Sequence, residues 1–198
     1  MKRNNAIRHV IVALSIAIVL LAGVMTWVLR SAPENMPVEF GTAFTLTDDN
    51  GQPITEKALS GHPSLIYFGF TRCPEVCPTT LYEMSGWFNA LGDDAKDLKA
   101  FFFSVDPERD TPELMHNYSA AFTDRIVGIT GDPAEMQKVM KSWRIFARKV
   151  PTEGGDYTMD HTASVLMLDS RGNFKGTISY GEAADSAIAK IRELLKSG

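Results

Sequence analysis

The hydropathy pattern opens with a run from Val10 to Leu29, twenty residues without a charge. A helix of that length rises about 30 Å, the thickness of a hydrocarbon core. Lys2, Arg3 and Arg8 precede the run with no acid among them, and Trp27 and Arg30 close it as interface residues. The excess of positive charge before the span places the amino end in the cytoplasm. A cleaved signal peptide is the alternative, but its apolar region is only about 7–15 residues long and ends in a small-x-small site. The stretch "GVMTWVLRSAPEN" offers neither. The expected organisation is a cytoplasmic N-terminus (1–9), a transmembrane anchor (10–30), a linker (31–38) containing Pro33 and Pro37, and one outer domain (39–198), which is enough chain to bury an ordinary core.

Within the outer domain the pattern alternates between strand and helix. "FTLTDDNGQPI" reads as a strand and turn with Asn50-Gly51 at the corner, and "PSLIYFGF" as a buried central strand ending at Phe70. A helix is expected over about Pro78 to Leu91, where Leu81, Met84, Phe88 and Leu91 recur at helical spacing. "KAFFFSVD" is a second buried strand. Thr111 and Pro112 open a helix to Phe122, "RIVGIT" is a strand, and Asp132 and Pro133 start the helix "DPAEMQKVMKSW". "SVLMLDSRGNFKGTIS" predicts a hairpin over Arg171-Gly172-Asn173, and a last helix runs from about Ala183 to Lys196. Strands alternating with helices imply an α/β fold, a central mixed sheet with helices on both faces.

Charge narrows the function. Setting aside the four bases of the first thirty residues leaves 16 bases against 24 acids, a formal charge of −8 on the outer domain. That balance argues against nucleic acid as a partner. The chain's two cysteines, Cys73 and Cys77, stand in "GFTRCPEVCPTTLYEM" directly after the buried strand. In an oxidising compartment such a pair forms a disulfide by default. At the turn from a buried strand into a helix it is the thioredoxin-like arrangement, in which the helix dipole and free N–H groups favour thiolate.

The spacer here has three residues where the usual redox motif has two. Three residues permit a disulfide, and they also let two sulfur atoms face one ion. A metal site then needs a further ligand. Of the four histidines, His9 lies at the membrane margin, His62 in a turn before Pro63 and His116 within a helix, where solvated or packed side chains are the simpler reading. His161, in "YTMDHTASVLML", sits in the segment before a buried strand that packs against the cysteine turn in a thioredoxin-like topology, where oxidoreductases hold a proline. Two thiolates and an imidazole suit copper by ligand softness, whereas zinc accepts the same donors but normally takes four.

The segments "FGTAFTLTDDNGQPIT", "SLIYFGFTRCPEVCPTTL", "FFFSVDPERDTPELMHNY", "GITGDP" and "YTMDHTASVLMLDSRGNF", in this order, resemble the Sco/SenC family of membrane-anchored copper-binding proteins. Glu75 stands where the family commonly has aspartate, a change that leaves the candidate ligands untouched. The resemblance implies a thioredoxin-like fold that binds one copper, as Cu(I) or Cu(II), through Cys73, Cys77 and His161. It also implies a role in building the CuA site of cytochrome c oxidase, the copper acceptor being the subunit that bears CuA and the donor an upstream periplasmic protein. With the anchor, this makes a single-pass protein of the bacterial cytoplasmic membrane whose domain lies in the periplasm.

A second function competes. Cys73 and Cys77 can serve as the redox pair of a thiol-disulfide oxidoreductase that reduces the cysteines of a copper-acceptor protein. His161 in place of proline, together with the long spacer, favours metal. Asp160 is a candidate to orient the His161 ring, with simple exposure as the alternative. Met159 is a candidate auxiliary ligand and Met84 is core. "DPERDT" reads as a strand-end turn and helix cap that flanks the site, and "KSWRIFARK" as a solvated basic face.

Overall fold

The structure, a computed structural model, describes residues 14–26 and 41–196. The chain divides into two compact units, Met1–Val38 and Glu39–Gly198. In the first, residues 14–26 form a helix (α1) with exposed Leu14, Ile16, Ile18, Val19, Leu20 and Leu21. Among the described residues no helix is long and apolar enough to cross a membrane. The remainder of the expected span, at 10–13 and 27–30, lies outside them, as do residues 1–9 and the linker 31–38.

The second unit is built on a seven-stranded sheet of β1 (Thr45–Asp48), β2 (Pro53–Thr55), β3 (Ser64–Gly69), β4 (Lys99–Ser104), β5 (Ile126–Thr130), β8 (Val165–Leu168) and β9 (Phe174–Ile178), in the order β2-β1-β5-β4-β3-β8-β9. β4 pairs in parallel with β3 and β5, while β8 pairs antiparallel with β3 and with β9. Every residue of β3 is buried, as a central strand covered on both faces requires. Tyr67 and Phe102, adjacent in register, stack with ring centres 5.8 Å apart and pack on one face with Tyr118. Phe68 and Phe103 stack at 5.0 Å on the other face, with Phe44 edge-on to Phe103. This is the central mixed sheet expected of a thioredoxin-like α/β fold.

The helices start where the capping residues dictate. Thr111 accepts from the Leu114 N–H to open α3 (Pro112–Ala120), and Asp132 accepts from the Glu135 N–H to open α4 (Pro133–Ser142). In α5 (Ala184–Lys196) the buried Ala187, Ile191 and Leu194 mark the stripe laid on the core, where this helix meets α2 (Val76–Leu91). α2 begins at Val76, ahead of the expected Pro78, because the Cys73 sulfur accepts the Cys77 N–H at 3.3 Å and closes the first turn early.

One element was not foreseen. Ala147–Pro151 (β6) and Tyr157–His161 (β7) form a separate two-stranded antiparallel sheet. The basic stretch expected as a solvated face supplies β6, and the segment expected as a loop before β8 is β7, with His161 opposite Ala147. The ladder continues past its end through Thr162 N–H to Phe146 O and Phe146 N–H to Thr162 Oγ1, both 3.0 Å.

Candidate metal centre

The buried strand β3 carries the chain to the end of the sheet, where Phe70 leads into the cysteine turn. Cys73 N–H donates to Phe70 O at 3.3 Å, and the turn places Cys73, half-buried, beside Cys77, fully buried in the first turn of α2. Both are free thiols here, the reduced form of the pair and the one able to ligate a metal. Gly69 makes room for them: a Cβ there would stand 2.8 Å from Cys77 Sγ and 2.8 Å from Phe102 Cε2.

His161 arrives from β7. Its Nε2 lies 3.5 Å from Cys77 Sγ, and one donor atom from each of Cys73, Cys77 and His161 falls within 4.8 Å of the other two. The ring sits edge-to-face against Phe70 at 5.8 Å and against Tyr67 at 6.3 Å. Its Nδ1 faces Thr162 O at 2.9 Å; a carbonyl only accepts, so Nδ1 carries a proton and Nε2 is the ring nitrogen turned to the sulfurs. Asp160, the candidate for this orienting role, points elsewhere and pairs with Arg148 at 3.0 Å on the exposed face of the hairpin.

The "DPERDT" segment does more than turn and cap. Buried Asp110 accepts from Thr71 Oγ1 at 2.5 Å and from Ser104 Oγ at 2.6 Å, while its carbonyl accepts from Thr130 Oγ1 at 2.7 Å. It thereby ties the cysteine turn to the ends of β4 and β5, and burial pushes its carboxyl pKa up. Asp106 accepts from Tyr157 Oη at 2.8 Å and from Arg109 Nε. Arg109 in turn donates to Tyr157 O at 2.9 Å and Asp156 at 3.0 Å, and its guanidinium lies 3.6 Å from the Tyr157 ring centre. This cluster clamps the hairpin that presents His161. The sequence signal that could have found the hairpin is Gly154-Gly155, a turn signal between its strands.

The other candidates have different work. His62 bonds Ser64 Oγ at 3.0 Å and stacks on Phe101, and His116 lies beside Asp49 on an exposed helix face. Met84 is buried core, and Met159 packs against the core and lines a cavity with Val105, Asp106 and Met140.

The two thiols are not equivalent. The hydrogen bond from Cys77, joined by one from His161 and by the Cys77 and Glu75 backbone N–H groups, brings the Cys73 pKa down to about 4 against the opposing effect of burial, whereas its bond to Cys73 and its burial push Cys77 up. The proton of the pair therefore resides on Cys77. The Cys73 pKa lies below its unfolded value, so the thiolate favours the folded reduced protein fully above the ordinary thiol pKa, and this advantage is lost as pH falls toward about 4. With iodoacetamide, the reduced metal-free protein is expected to alkylate at Cys73 at a nearly constant rate between about pH 6 and 8, while an ordinary thiol speeds up about tenfold per pH unit in that range. Peptide mass spectrometry should find Cys77 unmodified; a steep pH dependence at Cys73 counts against the assignment.

The SCO1/SenC family model matches residues 32–196. The chain is 34% identical over 173 residues to Protein SCO1 homolog 1, mitochondrial, of Arabidopsis thaliana, covering 85% of this chain and 52% of that protein. It is 34% identical over 164 residues to Protein SCO2, mitochondrial, of Saccharomyces cerevisiae, covering 81% and 54%. The chain thus spans about half the length of these relatives. Among solved structures, copper-bound ScoI of Bradyrhizobium japonicum superposes with a TM-score of 0.73 at 48% identity, covering 78% of this chain and 99% of that one. With its thioredoxin-like sheet and its Cys73, Cys77 and His161 cluster, the chain belongs to the SCO1/SenC family.

Proposed function

We propose that this chain is a copper carrier that holds one copper through Cys73, Cys77 and His161 and passes it to the CuA-bearing subunit of cytochrome c oxidase. The carrying observation is the donor set itself: two sulfurs and an imidazole nitrogen within 4.8 Å of one another, with the ring turned so that Nε2 faces the sulfurs. Soft thiolates and an imidazole suit Cu(I) and Cu(II), and three donors are one short of an ordinary structural zinc site. Cys73 and His161 are only half-buried, so an acceptor's ligands have a side from which to approach. The copper bound in the Bradyrhizobium structure supports the choice of metal. Residues 10–30 act as the anchor, with the N-terminus in the cytoplasm and the domain in the periplasm, where an upstream donor supplies the copper.

A second role is favoured by the unequal thiols. A half-exposed Cys73 thiolate beside a buried protonated Cys77 is arranged to attack a disulfide, and Cys77 then closes the internal disulfide as the partner leaves as a dithiol. Two electrons and the one proton held on Cys77 pass to the partner, the second proton comes from water, and the chain is left oxidised. The two roles use the same reduced state.

Anaerobic copper titration, with metal and thiols counted on the same sample, tests the carrier reading. The reduced protein is expected to take up one copper per chain and the disulfide form almost none, because oxidation removes two of the three donors. Tight stoichiometric uptake by the fully oxidised protein would sink the assignment.

A further inference from the structure

The middle of β3 holds a polar group that the three-donor cluster leaves unexplained. Tyr67 is wholly buried, and its hydroxyl lies beside the Cys77 thiol and the Thr80 hydroxyl without a hydrogen bond of ordinary geometry to any described residue. The ring cannot carry the hydroxyl elsewhere, because it is stacked on Phe102 and met edge-on by His161. Buried phenols normally find a partner, so an orphan aimed at a candidate site needs a reason.

Its surroundings supply one. A Cβ built on Gly69 would be 2.8 Å from Cys77 Sγ and 3.1 Å from Tyr67 Cε1, so the sulfur and the phenol ring border the same small gap. The polar neighbours of the hydroxyl are the Cys77 thiol and the Thr80 hydroxyl. The Thr80 proton is already committed to Val76 O at 2.8 Å. A neutral thiol is a weak acceptor, whereas a metal-bound sulfur carries charge and accepts more strongly.

Resting on the copper reading above, we propose that Tyr67 is a positioning residue of the centre, whose hydroxyl donates a hydrogen bond to the Cys77 sulfur when that sulfur is a metal ligand. The bond draws charge from the sulfur and fixes its direction. The Phe70 backbone N–H also reaches that sulfur from the cysteine turn, and Tyr67 is the side-chain donor beside it, the Cys77 N–H being used by Cys73.

Tyr67→Phe keeps the ring and removes only the hydroxyl. Metal-free, this variant is expected to melt at or above the wild-type temperature, because the lost group makes no well-formed hydrogen bond there. Loaded anaerobically with Cu(II), it is expected to show its sulfur-to-copper absorption band at longer wavelength, since an unbonded thiolate gives up charge more easily, and to bind copper about 10–100-fold more weakly. Thr80→Val should leave the band in place. An unmoved band in Tyr67→Phe, with or without weaker binding, overturns the proposal, as does a lower metal-free melting temperature, which would mean that the hydroxyl is already bonded to Thr80. If both proteins bind one copper with identical spectra, only this inference fails; if the wild type binds none, it falls together with the copper reading.

Discussion

His161→Ala is expected to abolish useful Cu(II) binding while leaving a chain that still holds some Cu(I) and still reduces disulfides. The substitution removes Nε2, the one donor that comes from β7, and leaves both sulfurs of the cysteine turn in place. Cu(I) tolerates two thiolates, but Cu(II) prefers more ligands. Its affinity should therefore fall by more than about 100-fold, beyond what outer-sphere partners of a metal site typically contribute. The cost to the fold is small, because the half-buried ring contributes edge contacts to Phe70 and Tyr67 and one bond to Thr162 O. Reductase activity depends on Cys73 and Cys77 alone and should persist. In cells, the carrier role requires that this variant fail to support CuA assembly; a strain carrying it with normal CuA content would shift the main role to thiol chemistry.

Gly69→Ala should damage the centre from behind without touching a ligand. The new methyl would lie 2.8 Å from both Cys77 Sγ and Phe102 Cε2, closer than Cβ atoms come to their neighbours. The sulfur is held by the first turn of α2, and the Phe102 ring is stacked on Tyr67, so neither can move away without disturbing the sheet. Overpacking of this kind costs about 1–3 kcal/mol, on the order of 2–12 °C in melting temperature for a domain of this size. Cys77 Sγ would shift out of the three-donor geometry, and copper affinity should fall with it. The control is Gly86→Ala on the exposed face of α2, where a Cβ meets nothing within 4 Å and the gain in helix propensity should stabilise by about 0.4–1 kcal/mol. Equal melting temperatures and copper affinities for Gly69→Ala and wild type would mean that the gap is wider than the structure gives.

The parts of the molecule that are local in sequence were legible. Continuous apolar runs identified β3 and β4 as buried strands, and Thr111-Pro112 and Asp132-Pro133 located two helix starts because capping is decided within four residues. The cysteine turn was legible for the same reason. What could not be read was set by distant contacts. β6 has no apolar alternation, since Arg148 and Lys149 are both exposed, and it is a strand only because β7 pairs with it. Asp110 looked like part of a turn, yet it is buried by Thr71, which is 39 residues away in sequence. Asp160 was the nearer acid to His161, but side chains alternate along a strand, so it points away from its neighbour and the ring is oriented by a backbone carbonyl.

The division of the donors between two sheets has a mechanical consequence. Cys73 and Cys77 follow a strand of the seven-stranded sheet, whereas His161 belongs to a two-stranded ribbon whose ladder shares no hydrogen bond with it. The spacing between imidazole and sulfurs is therefore fixed by side chains, chiefly the Arg109, Asp106 and Tyr157 clamp, and no main-chain ladder spans the gap. The third ligand is mounted on a separate element, so a substitution at Arg109, Asp106 or Tyr157 can displace the imidazole from the sulfurs with every ladder of the larger sheet left intact.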